Sequence, residues 1–560
     1  MASRTGSQII VDALREAGVE TVFGYPGGAI MPLYDALLDS GLTHVLTRHE
    51  QAAIHAADGL SRAAGRLGVC LATSGPGATN LVTGICTAQM DSAALLCITG
   101  QVPSTLIGTD AFQEADVPGV VGAITKQTYQ VRQVDDLPRV MAEAIFLATT
   151  GRPGPVVVDV PKDIQLARSS VESPRIDQLR GYQPHPQLDH TDVARAHALL
   201  MGSHKPVAIV GGGCRISNAT TPFRRFCDAT QIPVITTMMG IGSADPDYCG
   251  WLGMPGMHGH RRSNLAITEC DLIVAMGMRF DDRVTGVLDR FAPHARIVHI
   301  DIDEAELSKL VRADLSVHGD LREVLEAWLD LLPDQPPPSF ETWRTKAMAA
   351  GDGLAPANTD IDGAVPPTAL LDAVLALAGH DTIVTTDVGQ HQMWTAQRVR
   401  CADPQHFVTS GGAGTMGFGL PSAMGAQIGR PDHRVLAIVG DGGFQMTLAE
   451  MATIRRMNLP VKVLVMDNKY LGMVRQWQEL FFDRRYSGVD LSDNPDFAAL
   501  ARVYGWDAFS LDRCDDMAAV LDAWFYCDGP ALLHATCRLE ENVFPMVPAG
   551  AGLSEMVETA

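Results

Sequence analysis

Residues 435–478 read VLAIVGDGGFQMTLAEMATIRRMNLPVKVLVMDNKYLGMVRQWQ. An apolar run, Val435 to Val439, ends in Gly440-Asp441-Gly442, an amphipathic helix follows, and a second apolar run, Val461 to Met466, ends in Asp467-Asn468. The pattern predicts a βαβ unit with a carboxylate closing its first strand and an amide closing its second. Parallel strands bring both groups to one sheet edge, where α/β proteins bind ligands. Oxygen donors beside glycines that admit a phosphate to the backbone suit a hard cation such as Mg²⁺ carrying a diphosphate. An ordinary βαβ unit with a Gly-Asp-Gly turn reads the same way, so the rest of the chain has to decide.

The bulk numbers narrow the class. A chain of 560 residues is too long for one core, and about three to four domains are expected. Charged residues are 19% of the chain, below the ~25% of typical soluble domains, so much surface is expected to be buried between subunits. A net charge of −22 argues against nucleic acid or an anionic membrane as the main partner. Eleven cysteines without a C-x-x-C pair read as reduced thiols of a cytoplasmic protein. No signal peptide and no apolar window of ~18 residues is present, which predicts a soluble chain.

Outward from the opening stretch, short apolar runs alternate with helical segments, the signature of parallel α/β sheets flanked by helices. Three such blocks are expected: residues 1–170, 192–332 and 366–545, followed by a tail, 546–560, that folds over a neighbour or frays. Residues 167–191 and 333–367, rich in Pro, Ser and charge, read as linkers. In the first block Glu50 opens an Ala-rich helix, by default as a charge complementing the helix dipole. His49, Glu50 and His55 do not form H-E-x-x-H, because Ala53 stands at the second histidine position. The middle block is Rossmann-like, yet Gly211 to Gly213 do not complete G-x-G-x-x-G, and the acids Asp301 and Asp303 after a strand leave a different dinucleotide open. In the third block Gly412, Gly414 and Gly417 do match G-x-G-x-x-G, a weak signal that a turn beneath a cofactor ring explains equally well.

Taken together, VFGYPGGAIMPLYDAL from Val22, ATSGPGATNLVTG from Ala72, GTDAFQE from Gly108, GRPGPVVVDVPKDIQ from Gly151, GMHG from Gly256, RFDDRVTG from Arg279, DVGQHQMW from Asp387, GTMGFGLP from Gly414 and LGMVRQWQ from Leu471 carry a specific likeness. The chain resembles the catalytic large subunits of the acetohydroxyacid (acetolactate) synthase family, from about Val22 to Pro548, and in detail the valine-insensitive enteric type. The spacing from Gly440-Asp441-Gly442 to Asn468 is similar to that of the thiamine-diphosphate signature.

The resemblance implies a three-domain α/β fold with pyrimidine-binding, FAD-binding and diphosphate-binding domains, and the cofactors thiamine diphosphate, Mg²⁺ and FAD. It implies Glu50 as the carboxylate that activates thiamine diphosphate, with Gln113 and Lys162 as further catalytic residues. Gly414, Met416, Gln390, His391 and Gly442 would hold the thiamine cofactor, and Asp441, Asn468 and the Tyr470 backbone oxygen the metal. Gly212, Gly213, Thr237, Met238, Gly240, Met257, His258, Gly259, Arg279, Asp301, Asp303 and Asp320 fall on the flavin pattern. Phe112, Arg283 and Trp477 would meet the substrates, an arginine suiting a carboxylate and an indole a short alkyl group. The implied activity joins the two-carbon unit of pyruvate to a second pyruvate or to 2-ketobutyrate. It further implies a homodimer or homotetramer with Glu50 of one chain meeting Asp441 of its partner, and a small regulatory subunit as a possible companion. A flavin-dependent pyruvate oxidase and a glyoxylate carboligase are the alternatives of the same architecture. Gly443 departs from the usual Ser of the pattern, and Ala413 from the usual Leu.

Overall fold

The computed structural model describes residues 3–333, 337–354 and 363–559. Its frame is three six-stranded parallel sheets. The first runs in the order Thr43–Leu46, Thr21–Tyr25, Gly68–Ala72, Leu95–Gln101, Pro155–Pro161, Gln127–Gln130. The central one runs Trp251–Gly253, Val234–Thr236, Pro206–Val210, Leu272–Met276, Arg296–Asp301, Leu315–His318. The third runs Phe407–Val408, Ile383–Thr386, Val435–Gly440, Lys462–Asp467, Ala531–Thr536, Asp507–Leu511. The inner strands are apolar runs buried along their whole length, as sheets covered by helices on both faces require. In the third sheet Val439 lies beside Val465 and Gly440 beside Met466, so the groups that follow each strand emerge together.

The first and third sheets share one core. Helix Glu50–Ala64 lies against helix Gly419–Gly429, and no side chain fits where they cross. A Cβ on Gly59 would sit 2.1 Å from the Ser422 carbonyl oxygen, and one on Gly425 only 1.8 Å from that of Ala56. Next to this crossing, Arg62 is buried between Asp58 (2.5 Å) and Asp91 (3.2 Å) and donates to the Thr409 carbonyl at 2.7 Å. Asp91 in turn accepts from the backbone N–H groups of Gly411 (3.0 Å) and Gly412 (2.7 Å). The first domain thus grips the loop that follows strand Phe407–Val408 of the third.

Two expectations need correcting. The stretch 333–367, read as a linker, contains helix Pro338–Ala349, whose Phe340, Trp343 and Ala347 are buried; the Trp343 indole donates to the Pro206 carbonyl at 3.1 Å. Proline belongs at the first turn of a helix, and the i, i+3, i+7 apolar spacing was present beneath the proline-rich flank. Along its described residues the tail does not fray but folds over the central domain. Met546 and Val557 form a bridge, Val547 and Leu553 are buried against the central domain, and Arg290 and Arg261 pair with Glu555 (2.6 Å) and Glu558 (3.1 Å).

Candidate active site

The C-terminal edges of the central and third sheets face each other across one cavity of about 870 Å³. Its walls include residues that follow eleven strands, six of the central sheet and five of the third, together with Met90 to Ser92 and Thr149 to Pro153 of the first domain. On the third-sheet side the lining includes Gln390, His391, Gly414, Met416, Asp441, Gly442, Asn468, Tyr470 and Trp477. On the central side it includes Gly212, Gly213, Thr237, Met238, Met257, His258, Arg279, Arg283, Asp301 and Asp320.

Asp441 is buried at the first turn after Val435–Gly440. Burial and the adjacent Asp467 carboxylate push its pKa up to about 8, a site that a cation would relieve. Asn494, which sequence reading missed, spans the two acids, donating to Asp441 Oδ2 at 2.8 Å and Asp467 Oδ1 at 3.0 Å. His534 closes the set against Asp467 Oδ2 at 2.9 Å. The Asn468 amide nitrogen donates to Gln390 Oε1 at 3.2 Å, which leaves its oxygen as the ligand end beside the Tyr470 N–H at 3.2 Å. A carboxylate and an amide oxygen form a hard donor set that fits Mg²⁺. His391 is buried with Nε2 unpartnered, and burial holds its pKa down at about 4. A neutral imidazole with an unspent nitrogen on the cavity wall fits a diphosphate hydroxyl or oxygen as partner.

The loop of Gly414 and Met416 is fixed from several directions. Gly414 has φ +63° and Gly417 φ +86°, conformations that glycine adopts without strain. Asp387, whose pKa burial raises to about 6, accepts from Gly417 N–H at 2.9 Å and Val388 N–H at 2.7 Å. Thr415 shares a hydroxyl hydrogen bond of 2.6 Å with Thr87 of the first domain.

On the central side, burial raises the Asp301 carboxyl to about 6, and its Oδ1 accepts from Asp303 N–H at 2.9 Å. The His258 ring also has an unpartnered Nε2, with a pKa lowered by burial to about 4. Asp320 caps helix Leu321–Leu329 while lining the cavity. Glycine-lined strand ends, a carboxylate beyond the last of them and an unspent imidazole fit a dinucleotide such as FAD.

Seven of the sequence-derived residues do not line the cavity. Gly240 and Gly259 support it instead: a Cβ would meet the Val210 carbonyl at 2.2 Å and the Pro255 backbone at 2.4 Å. Asp303 pairs with Arg152 at 3.0 Å. Glu50, Phe112, Gln113 and Lys162 lie on the first domain, outside the lining. Glu50 is buried and accepts from Asn80 Nδ2 at 2.9 Å, whereas Phe112 is 88% exposed.

Comparison with known proteins identifies this arrangement. Three thiamine pyrophosphate enzyme families match in order: the N-terminal TPP binding domain over residues 4–120, the central domain over 193–328 and the C-terminal TPP binding domain over 387–535. The chain is 48% identical to the acetolactate synthase isozyme 2 large subunit of Escherichia coli (strain K12), covering 99% of each. The chain belongs to the acetolactate synthase large-subunit family. It is also 46% identical to an acetolactate synthase large subunit of Parasynechococcus marenigrum, over 99% of this chain and 91% of that one. With a probable acetolactate synthase large subunit of Methanocaldococcus jannaschii it shares 44% identity, over 99% and 95%. The opening βαβ stretch therefore lies in the C-terminal thiamine-pyrophosphate-binding domain of this family. Among the described residues no helix is long and apolar enough to cross a membrane.

Proposed function

We propose that the chain decarboxylates pyruvate on thiamine diphosphate and transfers the two-carbon unit to a second pyruvate or to 2-ketobutyrate, giving 2-acetolactate or 2-aceto-2-hydroxybutyrate. The observation that carries this reading is the single cavity that joins the Asp441–Asn468–His391 cluster to Arg283 and Trp477. Thiamine diphosphate, when bound, supplies the electron sink for decarboxylation. Asp441, Asn468 and the Tyr470 backbone oxygen would hold Mg²⁺, while Gln390 and His391 face the diphosphate. Gly414 and Met416 would support the ring end. Gly212, Gly213, Thr237, Met238, Met257, His258, Arg279 and Asp301 would hold FAD, for which the net reaction needs no redox step.

Arg283, 62% exposed at its side chain, is held only by long contacts of 3.7 Å to the Asp282 carboxylate and to Met257 Sδ, which a substrate carboxylate would replace. Trp477, edge-on to Phe481 at 5.7 Å, offers the alkyl tail an apolar wall. Glu50 would move a proton at the cofactor's pyrimidine, with Asn80 fixing the carboxylate. Because Glu50, Phe112, Gln113 and Lys162 lie outside this chain's cavity, the reading pairs them with the cavity of a second copy, as a homodimer or homotetramer. The exposed apolar residues Tyr25, Met31 and Phe112 of the first domain and Met446, Val474 and Phe482 of the third support such pairing. Relatives are named large subunits, which supports a small regulatory subunit as a further partner. The test is incubation of the purified protein with pyruvate, with and without 2-ketobutyrate, in the presence of thiamine diphosphate, Mg²⁺ and FAD. Hydroxy-keto acids are expected as products; stoichiometric flavin reduction by pyruvate without them would refute the reading in favour of an oxidase.

A further inference from the structure

Three adjacent strands of the third sheet begin side by side at the edge opposite the cavity. Asp381 stands two residues ahead of Ile383–Thr386, His406 immediately ahead of Phe407–Val408, and His433 two residues ahead of Val435–Gly440. The parallel register pairs Val384 with Phe407 and Ile383 with Val435, so the three side chains arrive at one place. One ligand atom of each lies within 4.8 Å of the other two. Asp381 Oδ1 is 3.8 Å from His433 Nε2 and 3.9 Å from His406 Nδ1, and the two imidazoles are tilted at 60° with centroids 5.2 Å apart.

We propose that Asp381, His406 and His433 form a second cation site, selective for a nitrogen-preferring divalent ion such as Zn²⁺, at the N-terminal edge of the third sheet. Two imidazoles and one carboxylate with an open fourth position make a donor set for Zn²⁺ rather than Mg²⁺. Bonds of ~2.0–2.1 Å to a tetrahedral ion hold neighbouring ligand atoms about 3.3 Å apart. The two Asp381–histidine spacings close by about half an ångström, and the spacing between the two imidazole nitrogens, within 4.8 Å, by up to about 1.5 Å through rotation of the rings. Asp381, 85% exposed at its side chain, is free to supply its share of that movement, while the buried His406 has to give up the contact of its Nδ1 with the His380 carbonyl oxygen at 3.4 Å, a contact already at the long limit of a hydrogen bond.

The surroundings match a metal site beyond its ligands. His433 Nδ1 lies 3.2 Å from Asp432 Oδ1, so the ring can donate there and present Nε2 to the ion. A carboxylate behind a ligating histidine fixes its tautomer and raises its basicity. Arg430 opposes the ion: one guanidinium nitrogen lies 2.6 Å from His433 Nε2 and 3.1 Å from Nδ1, and it has to swing off the ring edge for the ion to enter. Its guanidinium also reaches the Ala63 carbonyl at 3.2 Å and Gln405 Oε1 at 3.3 Å, and Asp432 lies 3.8 Å away. It therefore keeps three other acceptors when the ion takes Nε2. With neutral imidazoles, Asp381 and Asp432 against Arg430 leave one net negative charge for a dication. The ion would clip together the starts of three strands whose far ends build the cavity.

The experiment uses tag-free holoenzyme saturated with Mg²⁺ and thiamine diphosphate, titrated with Zn²⁺ and, separately, with Co²⁺. One extra ion per chain is expected by calorimetry and by metal analysis after gel filtration, with a visible Co²⁺ spectrum of nitrogen ligation and a raised melting temperature. Asp381→Asn and His433→Asn should each weaken this binding at least roughly tenfold, while leaving turnover and its Mg²⁺ dependence unchanged. Asp381→Asn, at an exposed position, keeps the fold intact as a control. Absence of any ion beyond those of the cofactor site, or unchanged stoichiometry in the double variant, would overturn the proposal.

Discussion

Replacing Asp91 of the N-terminal domain with asparagine should weaken cofactor binding through a loop of the C-terminal one. The side chain is 1% exposed and one carboxylate carries three interactions: the N–H groups of Gly411 at 3.0 Å and Gly412 at 2.7 Å, and the Arg62 guanidinium at 3.2 Å. An asparagine of the same shape keeps one oxygen, so one glycine N–H faces an amide that cannot accept. A lost hydrogen bond to a charged group costs roughly 1.5–3 kcal/mol. Arg62 is also left with Asp58 as its sole counter-charge, and breaking a buried pair costs roughly 3–5 kcal/mol. Both penalties arise from one carboxylate and overlap, so about 3–5 kcal/mol in total is the expectation. The loop it releases runs into Gly414 and Met416 at the cavity wall. If only part of that penalty falls on the loop, apparent affinity for thiamine diphosphate drops roughly 10- to 100-fold, since each 1.4 kcal/mol is a factor of about ten. Calorimetric titration of the cofactor reads the affinity, and thermal unfolding reads the stability. Asp58→Asn is the comparison: it weakens Arg62 but touches no residue of the loop, so the unfolding temperature should fall with a smaller change in affinity. Affinity of Asp91→Asn within about twofold of the parent would refute the idea that the first domain holds the loop in shape.

Glu50→Gln should lower turnover by roughly 10²- to 10⁴-fold with secondary structure unchanged, because an amide can keep the Asn80 contact; near-normal turnover would remove Glu50 from the mechanism. Trp477→Ala should erase preference for 2-ketobutyrate as acceptor, read as the product ratio in a competition assay. Gly443→Ser puts a Cβ 2.6 Å from Asp387 Oδ1, the carboxylate that holds Gly417. A cost of roughly 1–3 kcal/mol should appear as a lowered unfolding temperature, and no change would mean that helix Asp441–Thr447 shifts freely. His260 is buried, and burial, helped by Arg262, lowers its pKa from 6.5 to about 4. The unfolded chain takes up this proton below about pH 6.5 and the folded chain only near pH 4. The stability it contributes is therefore complete above 6.5 and lost as pH falls toward 4, by roughly 3 kcal/mol at ~1.4 kcal/mol per unit. Acid unfolding of His260→Gln should be shallower across that range, and an unchanged slope would contradict the assignment.

The inner strands were legible because burial on both faces leaves an unbroken apolar run such as Val435 to Val439. The missed strands all lie on edges. Gln127–Gln130, Trp251–Gly253, Leu315–His318 and Asp507–Leu511 each close one side of a sheet. Two are polar and half-exposed, with the patterns QTYQ and DAFSL. An edge strand needs only one covered face and one row of partners, so its composition resembles that of a loop. Leu315–His318 alternates buried and half-buried positions over only four residues, too short a run for periodicity to register.

The same physics divides the site. Groups that leave a strand at its C-terminal end were readable because the strand announces them: Asp441 after Val435–Gly440, Asn468 after Lys462–Asp467, and Gln390 after Ile383–Thr386. The residues that hold those groups in place were not. Asn494 bridges Asp441 and Asp467 from a loop with no motif of its own, and His534 reaches Asp467 from the next strand over. Asp91 acts on Gly411 and Gly412 across 320 positions of sequence. Such partners are chosen by three-dimensional proximity, and each is an ordinary polar residue in its local sequence. A turn that must place a carboxylate at a sheet edge constrains its neighbours to glycine and the strand to apolar residues, which leaves a pattern. A side chain that fixes that carboxylate from elsewhere constrains only itself, and its cost is visible only when the folded chain shows which buried charge it satisfies.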